Sequence, residues 1–192
     1  MSNKNAANEP PMLCKKQDFH DRQTQAAQRA LERCDILASY SAMQGGVLRA
    51  YLTPQHKQAH CQLADWMTAA GLTVWQDAVG NQWGRKVSVN PTQPTLLLGS
   101  HSDTVVDAGK YDGTLGVIMA IEALSGLRDV ELPYHVDVVA FADEEGTRFN
   151  TTLLGSSAVA GCWNPQWLTI CDADGISMEQ ALIEFGLDPA QI

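Results

Sequence analysis

Two short segments of the sequence hold the side chains best suited to bind a metal ion. In the first, His101 and Asp103 come soon after an apolar run at 96–98, and Asp112 follows further along. Imidazole nitrogens and carboxylate oxygens are ligands of several divalent metals. An acid close to a metal-binding histidine can also orient the imidazole ring. We therefore predict that His101 and Asp112 bind a metal ion and that Asp103 orients His101.

The second segment places three acids at the end of another apolar run. Residues 136–142 are apolar apart from Asp137, and Asp143, Glu144 and Glu145 follow directly. Three adjacent carboxylates at the end of a buried strand repel one another and lose hydration unless a cation neutralises them. In two-metal hydrolases one carboxylate binds, a second bridges, and an unligated glutamate holds a proton near a bound water. The second segment is consistent with such a binuclear site.

Both segments begin where a predicted strand ends. In open α/β sheets, chemistry collects at the carboxyl ends of the strands, because side chains there project from a rigid support into a crevice. Between the two segments, residues 113–126 have a helical pattern with small residues that allow close packing on the sheet. This helix begins directly behind Asp112, where its dipole favours an ionised carboxylate. The alternative is that Asp112 serves only as the N-cap of the helix.

The remaining pattern predicts an α/β layered domain with a mixed sheet. Thr53 and Pro54 have the residue types that start a helix, and Gly71 is of the type that ends one. The other predicted elements are a helix at 24–40, a β-hairpin of 72–76 and 82–89, a short helix from 155 capped by a serine, and a helix at 177–185.

Several polar residues outside the two segments have a structural interpretation. His56 and His60 lie four residues apart on the second helix, and we predict two exposed histidines on a solvated face rather than a metal pair. His20 and His135 are predicted to be surface residues as well. For Arg148, an internal ion pair that holds the acidic loop and a role in substrate binding both stay open.

The motifs together resemble one known family. Three of them carry the predicted site, and they are Gly-Ser-His-Ser-Asp-Thr-Val at 99–105, Lys-Tyr-Asp-Gly-Thr-Leu-Gly-Val at 110–117 and Asp-Glu-Glu-Gly-Thr-Arg-Phe at 143–149. Further matches are Gly80-Asn81 with Gly84-Arg85, Leu154-Gly155-Ser156 and Cys171-Asp172-Ala173. The set resembles the amidase, hydantoinase and carbamoylase group of M20-type metallohydrolases, which contains N-carbamoyl-L-amino-acid hydrolases, allantoate amidohydrolases and β-ureidopropionases.

The resemblance implies a role for each site residue. His101 matches a ligand of one metal, Glu145 a ligand of the other, and Asp112 the carboxylate that bridges them. Glu144 matches the general base, and Asp103 matches the residue that orients the ligand histidine. The implied cofactor is a pair of divalent ions, Zn or Mn, with Co or Ni also compatible with a histidine and carboxylate set. The implied fold is a three-layer α/β/α zinc-hydrolase-like catalytic domain with a mixed sheet.

Members of the family also carry two further ligand histidines downstream and an inserted lid and dimerisation domain, which this sequence of 192 residues lacks. A catalytic zinc usually has about three protein ligands and a water. We therefore expect residues 24–192 to form the amino-terminal part of the catalytic domain, incomplete at its C-terminus. Residues 1–23 are polar and contain two prolines, and they are predicted to form a loose tail. The full-length protein is expected to be a homodimer.

Composition narrows the partners and the compartment. The chain has 22 acidic and 13 basic residues, a net charge of −9, which disfavours nucleic acid and anionic membranes as partners. No apolar segment approaches the ~20 residues of a membrane helix. The five cysteines are odd in number and lack a Cys-x-x-Cys spacing, which predicts reduced thiols in a cytoplasmic protein.

These features predict metal-dependent hydrolysis of a linear amide or ureido C–N bond, of the N-carbamoyl-L-amino-acid or allantoate type. In this hypothesis Glu144 is the general base that activates a metal-bridging water, and the partner is a small carbamoyl or ureido molecule. One alternative is an M20-type dipeptidase, which the sequence Glu-Glu-Gly-Thr-Arg-Phe at 144–149 disfavours. The other is a truncated, inactive folding unit that lacks a complete metal site.

Overall fold

The structure is a computed structural model that describes residues 12–192, with side chains described from residue 20 onward. The elements in chain order are α1 (Met12–Ser39), α2 (Pro54–Ala69), β1 (Thr73–Gln76), β2 (Gln82–Lys86), β3 (Thr95–His101), α3 (Thr114–Gly126), β4 (His135–Phe141), α4 (Leu154–Val159) and α5 (Met178–Phe185), with short 3-10 turns at Pro165–Thr169 and Pro189–Gln191.

The four strands form one mixed sheet, as predicted, in the order β1-β2-β4-β3. The β1/β2 and β2/β4 pairs are antiparallel, whereas β3 and β4 are parallel. In the parallel pair His101 lies opposite Phe141, so both strands end at the same edge of the sheet. The two acidic segments follow these two strand ends and are therefore brought side by side.

Helices α2 and α3 cover one face of the sheet, and α1 packs on α3. That face carries alternate residues of β4, namely Val136, Val138 and Ala140, which join the main core. The opposite face carries the stacked indoles of Trp75 and Trp83. A second core at the end of β4 holds α4 and α5 against the acidic segment, and its members include Tyr51, Ala142, Phe149, Leu154, Met178, Leu182 and Phe185. Both cores therefore support the edge where β3 and β4 end.

The predicted helix boundaries are largely confirmed by their caps. The Thr53 hydroxyl accepts a hydrogen bond from the backbone N–H of His56, and Pro54 is the first residue of α2. Gly71 follows α2 with φ of +84°, and Gly186 ends α5 with φ of +100°, a left-handed conformation that favours glycine. Among the described residues, no helix combines the length and apolarity needed to cross a membrane.

Three details differ from the sequence prediction. Helix α1 begins at Met12, so the stretch at 12–23 is helical rather than loose, while residues 1–11 of the predicted tail lie outside the described residues. Strand β2 ends at Lys86 instead of continuing to residue 89. Helix α4 is not capped by a serine side chain, because its N-cap is Leu153 in a left-handed conformation.

Candidate metal centre

The five predicted site residues lie together at the carboxyl ends of β3 and β4. His101 is the last residue of β3, and the backbone N–H of Ser102 donates to the Phe141 carbonyl at 3.0 Å, which extends the pairing of the two strands. Asp103 follows on one side of this junction, and the acids at 143–145 follow on the other. The sheet thus supplies the rigid support that the sequence implies.

Three side chains converge closely enough to share one cation. One potential ligand atom from each of His101, Glu144 and Glu145 lies within 4.8 Å of the other two. The Asp112 carboxylate lies at the edge of this cluster, with Oδ1 3.6 Å from His101 Nε2, and its side chain is more than half exposed. One imidazole and three carboxylates are a donor set that suits Zn, Mn and related divalent ions. The residues present therefore fit a metal ion.

Asp103 connects the two halves of the site. Its buried carboxylate accepts hydrogen bonds from the backbone N–H groups of Glu144 at 3.0 Å and Glu145 at 3.1 Å. The Nδ1 atom of His101 lies 3.0 Å from the backbone carbonyl of Asp103 and 3.5 Å from its carboxylate. Because a carbonyl oxygen can only accept, Nδ1 carries the proton and Nε2 is left to bind a metal. The structure thus places Asp103 where the sequence predicts an orienting residue.

The electrostatics of the cluster reflect its crowded acids. Burial lowers the pKa of His101, but hydrogen bonds and the charge of Asp103, together with the charge of Glu144, outweigh this and raise that pKa to about 9. Burial and the neighbouring Asp103 carboxylate raise the pKa of Asp143 to about 8. Burial and the charge of Glu144 also raise the pKa of Glu145. A divalent cation would offset this excess of negative charge, in competition with protons at His101.

The residue that follows Asp112 is a glycine for a steric reason. Gly113 has φ of +66°, and a Cβ atom there would lie 2.5 Å from the His101 ring. Gly113 itself is the N-cap of α3, and no side chain caps that helix. The alternative role of Asp112 as the N-cap is therefore not observed, and its carboxylate points toward His101 instead.

Asn81, which the sequence indicates only as part of the Gly80-Asn81 motif, supports the site from outside the cluster. Its buried side chain accepts from the backbone N–H of Ala142 at 2.9 Å, and its Nδ2 donates to Asp77 and to the Gly155 carbonyl. A Cβ atom on Gly155 would lie 2.3 Å from the Asn81 side-chain oxygen. Asn81 thus fixes the backbone one residue before the acidic segment, which gives the separate Gly80-Asn81 and Gly155 matches one physical explanation.

The predictions of exposed histidines at 56, 60 and 135 are wrong. His56 and His60 are 0% and 2% exposed, because they share the inward face of α2 with Ala59, Leu63 and Met67. That spacing was the signal in the sequence. His135 is also buried, and its Nδ1 accepts from the backbone N–H of Ser88.

Arg148 forms the internal ion pair that was one of its two interpretations. Its Nε donates to Asp172 at 2.9 Å, and its Nη1 donates to the backbone carbonyls of Tyr51 and Leu52. The guanidinium therefore ties the acidic segment to two neighbouring loops.

Comparison with known proteins shows which families this chain resembles. Residues 83–190, more than half of the chain, match the family model for Peptidase family M28. The chain is 42% identical over 177 residues to allantoate deiminase from Arabidopsis thaliana, covering 90% of this chain and 33% of that protein. It is 41% identical over 150 residues to N-carbamoyl-L-amino acid amidohydrolase from Geobacillus stearothermophilus, covering 77% of this chain and 37% of that protein.

A solved structure gives the same result for the fold. A hydantoinase/carbamoylase family amidase from Burkholderia ambifaria superposes with a TM-score of 0.78 at 32% identity, covering 83% of this chain and 40% of that one. The chain spans about a third of the length of the curated relatives above. The chain therefore matches Peptidase family M28 over more than half of its length and belongs with the amidase, hydantoinase and carbamoylase metallohydrolases that it resembles in sequence and fold.

Proposed function

We propose that this protein contributes the metal centre of an amidohydrolase that cleaves a linear amide or ureido C–N bond. The observation that carries the proposal is the convergence of His101, Glu144 and Glu145 at the ends of two parallel strands. The names of the relatives, allantoate deiminase and N-carbamoyl-L-amino acid amidohydrolase, support small carbamoyl or ureido compounds as the substrate class.

In this proposal His101, Asp112 and Glu145 would hold two divalent ions. Bound divalent ions supply Lewis acidity, which lowers the pKa of water and stabilises negative charge on a substrate carbonyl oxygen. Asp103 keeps Nε2 of His101 available by holding the proton on Nδ1. It also fixes the backbone of Glu144 and Glu145. The backbone that carries the two glutamates is thus fixed before any substrate arrives.

Glu144 is the proposed general base. It accepts a proton from the attacking water and passes it to the leaving nitrogen, so that the C–N bond breaks with the leaving group protonated. For an N-carbamoyl amino acid the products are the amino acid, carbon dioxide and ammonia. Because Asp103 holds the backbone N–H of Glu144, the backbone at this position does not have to be ordered during the reaction.

The assembly and the compartment belong to the same proposal. A homodimer of the full-length protein rests on the family membership. A cytoplasmic location is supported by the cysteines at 34, 61, 162 and 171, which are free in the described part of the chain.

The test combines metal analysis with two activity assays. We expect the protein to retain divalent metal after dialysis and to release ammonia from an N-carbamoyl-L-amino acid or from allantoate. Glu144→Gln should keep the metal and lose activity by about 10²- to 10⁴-fold, which is the usual contribution of a general base. Asp112→Ala should lose the metal as well. Full activity in Glu144→Gln would refute the assigned role.

The match to a peptidase family model keeps dipeptide hydrolysis as a second candidate function. The same preparation is therefore assayed on a dipeptide. Dipeptide cleavage without ammonia release would favour the peptidase. Absence of bound metal and of both activities would favour an inactive folding unit.

A further inference from the structure

A polar cluster lies directly beneath the candidate metal centre. It consists of His56 and His60 on α2 and of Ser102, the residue between His101 and Asp103. The Nε2 atoms of the two histidines lie 3.2 Å and 2.7 Å from the Ser102 hydroxyl oxygen, and all three residues are buried. We call these three residues the Ser102 cluster. The catalytic proposal gives no role to its two histidines.

Hydrogen bonding fixes the tautomer of both rings. Nδ1 of His56 accepts from the backbone N–H of Leu52 at 3.2 Å, and Nδ1 of His60 lies 3.0 Å from the amide nitrogen of Gln76, which is a donor. Each Nδ1 therefore acts as an acceptor, and each Nε2 carries a proton. Both histidines then donate to the Ser102 hydroxyl oxygen and occupy its two lone pairs.

The Ser102 hydroxyl has one proton to donate, and one acceptor lies within reach of it. The hydroxyl lies 3.1 Å from the Phe141 carbonyl oxygen, which also accepts the Ser102 backbone N–H at 3.0 Å. On the other side, the buried guanidinium of Arg49 donates to the Ser102 carbonyl at 2.7 Å. Every polar group of Ser102 is therefore satisfied in one geometry, and that geometry joins the end of β3 to the end of β4.

The neutral state of the rings agrees with this arrangement. Burial and the charge of Arg49 lower the pKa of His60 to about 3. Burial, followed by the neighbouring charges of His60 and Arg49, lowers the pKa of His56 well below its ordinary value. Neither ring is then a cation that would oppose metal binding nearby, and neither is free to change its donor pattern.

We propose that His56 and His60 are positioning residues for the candidate metal centre, which act by holding Ser102 and thereby the spacing between His101 and the acidic segment. The inference rests on the proposed function, because it assigns these residues to the same centre. It predicts that loss of the histidine donors weakens metal binding without removing any ligand. The nearest comparison is the partner of a metal ligand, whose loss typically weakens affinity by about 10- to 100-fold.

The first experiment uses the unmodified chain. Long-range ¹H–¹⁵N correlation spectra of the histidine rings should show His56 and His60 neutral near neutral pH, with the proton on Nε2 in both. A proton on Nδ1 of either ring would overturn the hydrogen-bond scheme. Assignment comes from the spectra of His56→Gln and His60→Gln, each of which removes one ring.

The second experiment measures Zn²⁺ affinity by calorimetry in folded variants. Ser102→Ala should weaken affinity by about tenfold or more. His60→Leu, which has no donor, should weaken it similarly, whereas His60→Gln keeps an N–H donor and should stay closer to the wild type. If Ser102→Ala does not fold, Ser102→Cys preserves the volume with weaker hydrogen bonds and should change affinity in the same direction.

The control and the double variant separate positioning from general destabilisation. Ser88→Ala removes another buried hydroxyl, which donates to the Leu132 carbonyl far from the centre, and should leave Zn²⁺ affinity unchanged. Because His60 acts through Ser102, the double variant of His60→Leu with Ser102→Ala should bind no more weakly than Ser102→Ala alone. If the wild type binds Zn²⁺ and all variants bind it with the same affinity, the positioning role of the histidines is overturned, while the metal centre is not. Absence of Zn²⁺ binding by the wild-type chain overturns the metal centre as well.

Discussion

Mild acid should destabilise the fold through His60. Its pKa is about 3 in the folded chain, where Arg49 and His56 face it in a buried site, whereas an unfolded histidine titrates at about 6.5. Below about pH 6.5 the unfolded chain therefore binds a proton that the folded chain excludes. Stability is lost as the pH falls from about 6.5 toward 3. For His60 alone, the loss between about pH 7.5 and about pH 5.0 is about 2 kcal/mol.

The measurement is urea unfolding of the wild type and of His60→Gln at these two pH values. Asp143 has a raised pKa and contributes the opposite trend, a loss of stability as pH rises from about 4 to about 8. Since both proteins contain Asp143, the difference between them isolates His60. The stability of the wild type relative to His60→Gln should fall by about 2 kcal/mol on acidification. Ser88→Ala serves as the control, whose difference from the wild type should not depend on pH. A His60→Gln difference that is equal at both pH values would refute the reasoning.

Two further predictions concern the residues that support the acidic segment. Gly155→Ala should destabilise the chain by about 2–3 kcal/mol, because the new methyl group overlaps the Asn81 oxygen, while Gly126→Ala places a methyl group in open space and should be neutral or slightly stabilising. Urea unfolding compares the two, and equal stabilities would contradict the contact. Arg148→Met should cost about 2 kcal/mol, because it removes the charge partner of Asp172, whose carboxylate then keeps only its bonds from the backbone N–H groups of Asp174 and Ile176. A wild-type midpoint for this variant would contradict a stabilising role for the Arg148–Asp172 ion pair.

The sequence indicates which side chains approach one another at the candidate site, because each of them lies close to the end of a strand in the chain. Each set of predicted ligands follows an apolar run within a few residues, and such runs become strands whose ends are easy to locate. A helix lies between β3 and β4 in the chain, and this strand–helix–strand order is typical of two parallel strands. The approach of His101, Glu144 and Glu145 follows from those two facts.

The buried histidines were missed because their burial depends on partners far along the chain. His56 and His60 bond to a hydroxyl 46 and 42 residues away, so the helical spacing that indicates their inward position does not identify their partner. A buried polar side chain is stable only when it is hydrogen-bonded, so a histidine without a visible partner is reasonably placed on the surface. The same holds for Arg49, whose partners are backbone carbonyls that sequence alone does not reveal.

The inward-facing positions of β3 and α2 together indicate that Ser102 and the two histidines are partners. Side chains alternate along a strand, and in β3 Leu98 and Ser100 face the helices, so the alternation carried one step past the strand end places Ser102 on that same side. A serine facing a helical layer needs donors and acceptors from that layer. On α2, the inward positions are apolar except for His56 and His60. When a strand and the helix that covers it both have polar residues at inward-facing positions, those residues are therefore better interpreted as hydrogen-bond partners than as separate surface residues. Here that pairing leaves His101 and Asp103, on either side of Ser102, to face the metal centre.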